Sequence, residues 1–165
     1  MEGNFTFMAL SENSPGILHR VTTQFTRRAV NIESLTVSET ERKGISRFTI
    51  VVKADRALAE KIARHLRRII EVTAVYLCEN RELIYKEVAL IKVKSDEDRD
   101  TRLRIEELAH RYGAHVVFGG EGFLIVEKSG REEEIDSLFL LLEPFGILEF
   151  VRSGRIALQK NLAQD

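Results

Sequence analysis

Apolar runs follow one another along this chain in an order that is written twice, and that doubling limits the fold more than any single motif. Phe5 to Leu10 is a short apolar strand. Ser14-Pro15 then opens a helix with a capping residue and a Pro in its first turn. Ile17, Leu18, Val21 and Phe25 recur at helical spacing opposite a polar face of Arg20, Thr23, Gln24 and Arg27. Ile32 to Val37 and Phe48 to Val52 are β-branched runs joined by the polar stretch Glu39 to Gly44, which reads as a hairpin with Gly44 at its tip. A second amphipathic stripe, Leu58, Ile62, Leu66 and Ile69, leads into a fourth strand, Val72 to Leu77.

From Glu87 the order returns. Val88 to Val93 is a strand, and Ile105, Leu108, Ala109 and Tyr112 form a helical stripe. Val116 to Phe118 and Phe123 to Val126 flank Gly119-Gly120-Glu121-Gly122. The stripe Ile135, Leu138, Phe139 and Leu142 ends near Pro144-Phe145-Gly146, and Ile147 to Val151 is the last strand. Each half reads βαββαβ, the order of the ferredoxin-like plait, an antiparallel sheet with both helices on one face. The expected architecture is therefore α+β, two ferredoxin-like plaits in residues 1–79 and 80–165, separated by the polar stretch Glu79 to Glu82.

With 165 residues the chain can bury about two-thirds of its surface and needs no covalent staple. Its 25 basic and 26 acidic residues leave a formal charge of -1, which gives no field to draw it to nucleic acid or an anionic membrane. The single Cys78 excludes an intrachain disulfide and, in the run Val75-Tyr76-Leu77, reads as a small buried hydrophobe suited to a reducing cytoplasm. The opening Met1-Glu2-Gly3-Asn4 has no basic, then apolar, export pattern, and no apolar run approaches the roughly 18 residues of a membrane span. A cytoplasmic location is expected, with no membrane and no nucleic acid among the partners.

Catalytic constellations do not emerge. His19, His65, His110 and His115 share no metal-ligand spacing with Cys78 or a carboxylate cluster, no Ser stands in a Gly-x-Ser-x-Gly elbow, and Cys78 has no evident His partner. Asp96-Glu97-Asp98 and Glu132-Glu133-Glu134 lie at helix starts, where the dipole favours negative charge. Gly119 to Gly122 lies between strands with no helix behind it to hold a phosphate, so a hairpin turn is expected. Arg64, Arg67 and Arg68 share one helix without interleaved aromatics, the mark of a solvated face. No catalytic residue and no metal site is assigned, and with no helix-turn-helix segment beside the two plaits a DNA-binding regulator is disfavoured.

The segment Glu12 to Gly16 differs from these. It delivers a helix N-terminus straight after a strand and puts Gly16 where a ligand can approach the backbone. Unpaired N–H groups there suit a carboxylate, and Asn13 offers a donor and an acceptor, so an amino acid fits, with Ile17 and Ile32 as apolar wall. The alternative is that Asn13 and Ser14 merely cap the helix. The equivalent loop of the second half, Lys94 to Asp98, is acidic, lacks Gly and would repel a carboxylate. Asn31-Ile32 opens the second strand, which plait topology places at the sheet edge. If two copies pair along it, Asn31 of one faces the Asn13 loop of the other, and a ligand bridges a homodimer.

The string Glu12-Asn13-Ser14-Pro15-Gly16-Ile17-Leu18-His19-Arg20-Val21, with Phe25, Arg27 and Asn31-Ile32-Glu33-Ser34-Leu35-Thr36-Val37, closely resembles the small subunit family of acetolactate (acetohydroxyacid) synthase. Ile135-Asp136, Pro144 to Glu149 and Arg152 to Leu158 are similar to that family's C-terminal domain. The resemblance implies an N-terminal ACT domain that binds a branched-chain amino acid, valine foremost, at a dimer interface, with Asn13, Gly16, Asn31 and Ile32 matching the effector positions. It also implies a non-catalytic subunit that as a whole activates a separate catalytic large subunit, with the C-terminal domain in contact with it. Thiamine diphosphate, flavin (FAD) and Mg²⁺ then belong to the large subunit, and this chain holds none. One departure stands out: the family carries Gly where Ala29 stands, a position where Gly ends a helix at low steric cost.

Overall fold

The computed structural model describes residues 3–95 and 99–161. The expected Asp96-Glu97-Asp98 helix start lies outside the described residues. Elements run β1 (Gly3–Glu12), α1 (Ile17–Thr26), β2 (Ile32–Glu39), β3 (Ile45–Ala54), α2 (Arg56–Leu66), β4 (Val72–Glu79), β5 (Leu83–Lys94), α3 (Arg99–Arg111), β6 (His115–Gly120), β7 (Phe123–Gly130), α4 (Glu132–Leu142), β8 (Ile147–Arg152) and β9 (Ile156–Gln159). The chain forms two compact units. One comprises residues 1–85 and 155–165, the other 86–154.

In the first unit the strand order is β2-β3-β1-β4, all antiparallel. Phe5, Phe7 and Ala9 of β1 and Phe48, Ile50 and Val52 of β3 alternate onto one face, where they meet Ile17, Val21 and Phe25 of α1 and Ala59, Ile62 and Leu66 of α2. Period 2 on the strands and period 3.6 on the helices thus converge on one core. The Phe7 and Phe25 rings meet edge to face at 5.2 Å. Asp55 caps α2 by accepting the Leu58 N–H at 2.8 Å. The opposite face of the sheet is also covered: Met8, Cys78, Leu83, Tyr85 and Ala157 form a second apolar cluster. Cys78 is buried as expected, and burial raises its thiol pKa.

The second unit repeats the plait with order β6-β7-β5-β8. Its core gathers Ile91, Val93, Leu124 and Val126 against Ile105 and Ala109 of α3 and Leu138 and Leu142 of α4. Glu121-Gly122 is the hairpin turn between β6, which ends in Gly119-Gly120, and β7, with Gly120 opposite Phe123 and Gly122 at φ 78°. On the sheet face away from the helices Leu90, Phe118 and Val151 stay exposed. No helix among the described residues is long and apolar enough to cross a membrane.

The domain border differs from the expected 79/80. Asn80 to Glu82 is a single 3-10 turn closed by reciprocal bonds of the Glu79 and Glu82 side chains, and β5 already starts at Leu83. Leu83 and Tyr85 bury against the first unit, and the chain comes back to that unit after Gly154. The polar composition of Glu79 to Glu82 marks a turn inside the first unit, not a linker between units.

Candidate functional site

The loop between β1 and α1 is tied down on three sides. Glu12 N–H donates to the Glu71 carbonyl at 2.9 Å, Asn13 N–H to the Gly44 carbonyl at 2.8 Å, and Ser14 N–H to the Glu12 carbonyl at 3.0 Å. Arg20 closes the frame: its Nη1 lies 2.6 Å from Glu71 Oε1 and its Nη2 donates to Ser14 Oγ at 3.4 Å. The Glu71 carboxylate is held below its ordinary pKa, first by its own backbone N–H and then, against the opposing effect of burial, by Arg20.

Helix α1 does not open at Ser14-Pro15. It opens at Ile17, after Gly16 has turned into the left-handed region at φ 81°, and no side chain caps it. Pro15 and Gly16 form the turn instead. A Cβ at Gly16 would meet no atom within 4 Å, so it is the backbone angle that calls for Gly there. The N–H groups of Gly16, Leu18 and His19 find no acceptor among the described residues. Asn13 is exposed and its side chain makes no hydrogen bond among the described residues, so the capping alternative is not the one adopted. Ile17 turns its side chain into the core at 5% exposure, whereas Leu18 is 45% exposed. The groove on the polar side of α1, about 360 Å³ and lined by Arg20, Arg27, Arg68 and Glu71 among others, does not include Asn13, Gly16, Asn31 or Ile32.

Asn31 and Ile32 sit elsewhere. Among the described residues strand β2 pairs only with β3 and is the sheet edge, as expected. Its start, Ile32, lies opposite Val52, which lies opposite Phe5, whereas its end, Glu39, lies opposite Ser46, beside Ser11. Asn13 is thus at the finishing end of β2 and Asn31 at its starting end. Eight residues of extended strand from Phe5 to Asn13 span roughly 26 Å at ~3.3 Å each. Within one chain the two halves of the expected site do not meet. Asn31 is exposed, with Nδ2 donating to Glu33 Oε1 at 3.3 Å, and Ile32 is half-buried against the core.

The end of α1 explains the departure at position 29. Val30 N–H reaches the Phe25 carbonyl at 3.2 Å and Ala29 N–H the Thr26 carbonyl at 3.0 Å, a Schellman ending in which Val30 packs on the core beside Phe25. Ala29 occupies the left-handed position at φ 53°, the one non-glycine with positive φ among the described residues.

Residues 7–74 match the family model described as the AHAS small subunit-like ACT domain, and residues 86–161 match the model for the small subunit of acetolactate synthase. The acetolactate synthase small subunit of Mycobacterium leprae is 39% identical over 155 residues, which are 94% of this chain and 90% of that protein. The chain belongs to the acetolactate synthase small subunit family. A probable acetolactate synthase small subunit of Archaeoglobus fulgidus is 36% identical over 153 residues, 93% of this chain and 94% of its own length. The crystal structure of the acetolactate synthase small subunit from Thermotoga maritima superposes with a TM-score of 0.86 at 29% identity, covering 96% of this chain and 98% of that one. The α+β reading, two plaits with an ACT domain first, is thus borne out. Membership in the acetolactate synthase small subunit family brings with it the branched-chain amino acid pathway and a catalytic large subunit as partner.

Arg20, Glu71 and Gly44, which hold the loop in place, were not readable as a set from the sequence. The strong signal would have been pairing register, which only the sheet supplies.

Proposed function

We propose that this chain is a non-catalytic regulatory subunit that activates the large subunit of acetolactate synthase and confers feedback inhibition by a branched-chain amino acid, valine foremost, with leucine or isoleucine as the alternatives. The observation that carries the reading is the separation of the Asn13 loop and Asn31 to opposite ends of β2. An isologous, antiparallel pairing of two β2 edges sets the starting end of one strand against the finishing end of the other. Asn31 and Ile32 of one chain then come beside Asn13 and Gly16 of its partner, and a homodimer has two complete sites where a monomer has none. The free N–H groups at the start of α1 receive the carboxylate, Asn13 and Asn31 the ammonium, and Ile32, backed by Ile17, the branched side chain. Thiamine diphosphate, FAD and Mg²⁺ are assigned to the large subunit, the second plait to contact with it, and the assembly to the cytoplasm.

Inhibition requires that the effector bind two arrangements of the complex unequally, and a tenfold effect needs about 1.4 kcal/mol of such coupling. Melting the protein with valine, leucine, isoleucine and alanine tests the reading. A ligand at a hundredfold excess over its Kd stabilises the folded state by about 2.7 kcal/mol, which raises the Tm. Alanine, two methyl groups shorter than valine, binds roughly tenfold more weakly at ~0.8 kcal/mol per group. The Asn31→Ala protein melts like the unliganded parent and gains nothing from valine. Absence of a shift with all four amino acids refutes the proposal.

A further inference from the structure

After β8 the chain turns at Ser153-Gly154 and lays residues 155–160 across the first unit's sheet, on the face opposite the helices. Arg155 is 3% exposed. Its guanidinium lies over the Tyr85 ring, 4.0 Å from the centroid, and its Nη1 donates to Asn80 Oδ1 at 2.8 Å and Thr6 Oγ1 at 3.3 Å. Its backbone is gripped from the other side. Arg155 N–H donates to Ser34 Oγ at 2.9 Å, and the Thr36 hydroxyl donates to the Arg155 carbonyl. Further along, Arg47 Nη2 donates to the Ala157 carbonyl at 2.8 Å, Gln159 Nε2 to Cys78 Sγ at 3.2 Å and Lys160 N–H to the Glu82 carbonyl at 3.0 Å.

Ser34 and Thr36 are two residues apart on β2, so both face the strap, and among the described residues β3 is the one strand that β2 pairs with. It is also the strand that begins with Asn31-Ile32. A buried guanidinium is a costly way to cover a sheet face that an apolar residue would cover freely, whereas its directional bonds allow one placement only. We infer that Arg155 is a positioning residue for the effector strand, because the clasp of Ser34 and Thr36 on its backbone fixes where β2 lies and hands any displacement of β2 through Gly154 to the chain of the second unit. The inference rests on the effector reading of β2 given above. A ligand that shifts β2 must carry the strap with it or break two hydrogen bonds, so occupancy of the site and the position of the strap are one equilibrium.

The test uses the full chain, alone and reconstituted with its catalytic large subunit, and the pair Thr36→Val and Thr36→Ser. Val keeps the β-branched shape and removes the hydroxyl, while Ser restores the hydroxyl. The expected result is that T36V keeps a cooperative melt and its valine shift, yet valine inhibition of acetolactate formation weakens by about fivefold or more, and T36S is inhibited like the parent. S34A repeats the T36V pattern from the other bond. Inhibition of T36V and S34A at the parental valine concentration, with the parent's valine shift present, overturns the inference and leaves the effector site standing. Loss of the valine shift together with inhibition in T36V also overturns it, since the hydroxyl then belongs to the site itself. A parent chain that shows no valine shift removes the effector reading and this inference with it.

Discussion

The two plaits share a frame down to single hydrogen bonds and differ in what the frame presents. Asn13 N–H reaches the Gly44 carbonyl at 2.8 Å, and Ser95 N–H reaches the Gly122 carbonyl at 2.9 Å. Ala29 and Gly113 take the same left-handed step after the first helix, at φ 53° and 63°, and the following N–H of Val30 or Ala114 returns to Phe25 or Ala109. Both edge strands shift register after their first residue pairs, between Ile32 and Ser34 in one and Val116 and Phe118 in the other. Yet Asn13 is exposed where Ser95 is 1% exposed, and Ser34 meets Arg155 where Phe118 lies exposed. One fold serves an exposed Asn13 in one copy and a buried Ser95 in the other. Backbone geometry is common to the two units, and the side chains set on it differ.

The comparison breaks most severely at Phe25, whose counterpart is Ala109. Phe25→Ala imposes the second unit's residue on the first unit's core and costs about 3–5 kcal/mol, read as a fall in the urea midpoint. Phe7 loses its edge-to-face neighbour at the same time. Next in size, Gly113→Ala gives the second unit the strain that the first already carries at Ala29, and urea titration should show a loss of about 1–2 kcal/mol. The reverse change, Ala29→Gly, relieves that strain but loosens the unfolded chain, leaving a gain of roughly 0.5–1 kcal/mol. If both changes destabilise equally, the two helix endings are not equivalent.

The smallest effect concerns acid. Glu134 accepts the Arg131 N–H at 2.6 Å, and that bond, against a partial opposing effect of burial, holds its carboxyl below the ordinary glutamate range. Glu71 in the first unit is lowered in the same way. Folded-state pKa values below the unfolded ones mean stability that is present above the ordinary glutamate pKa and lost as the pH falls through it toward the folded value. Melting temperatures across mildly acidic pH should therefore decline, and Glu134→Gln should flatten part of that decline. An unchanged slope in the variant would locate the acid sensitivity elsewhere.

Most of the fold was legible because its elements are amphipathic in the plain sense. Val21 and Phe25, Ile62 and Leu66, or Leu138 and Leu142 repeat at helical spacing and are all buried. The edge position of β2 followed from strand order alone. The start of α1 was misplaced since Ser14-Pro15 imitates a capped helix start, and only the φ of Gly16 distinguishes a turn from a cap. The strap is not legible in the sequence for a different reason. In Ile156-Ala157-Leu158 the small residue is the buried one and the two large ones are exposed, and the anchor is a charged Arg155, so pattern and burial run in opposite senses. The proposed site draws on Asn13, Gly16, Asn31 and Ile32, residues the sequence offers as candidates, but their separation along β2 emerges only from register.

Because residues 155–160 close the face formed by Met8, Cys78 and Tyr85, the second plait is inserted within the first and not appended to it. On the ribosome, where chains emerge from the N-terminus, the first plait can assemble its helical core early but leaves that opposite face bare until the whole of 86–154 has been made. Closure of the first plait thus waits for the second, and a chain broken off inside the second unit would carry a β2 without the two hydrogen bonds that Ser34 and Thr36 make to Arg155.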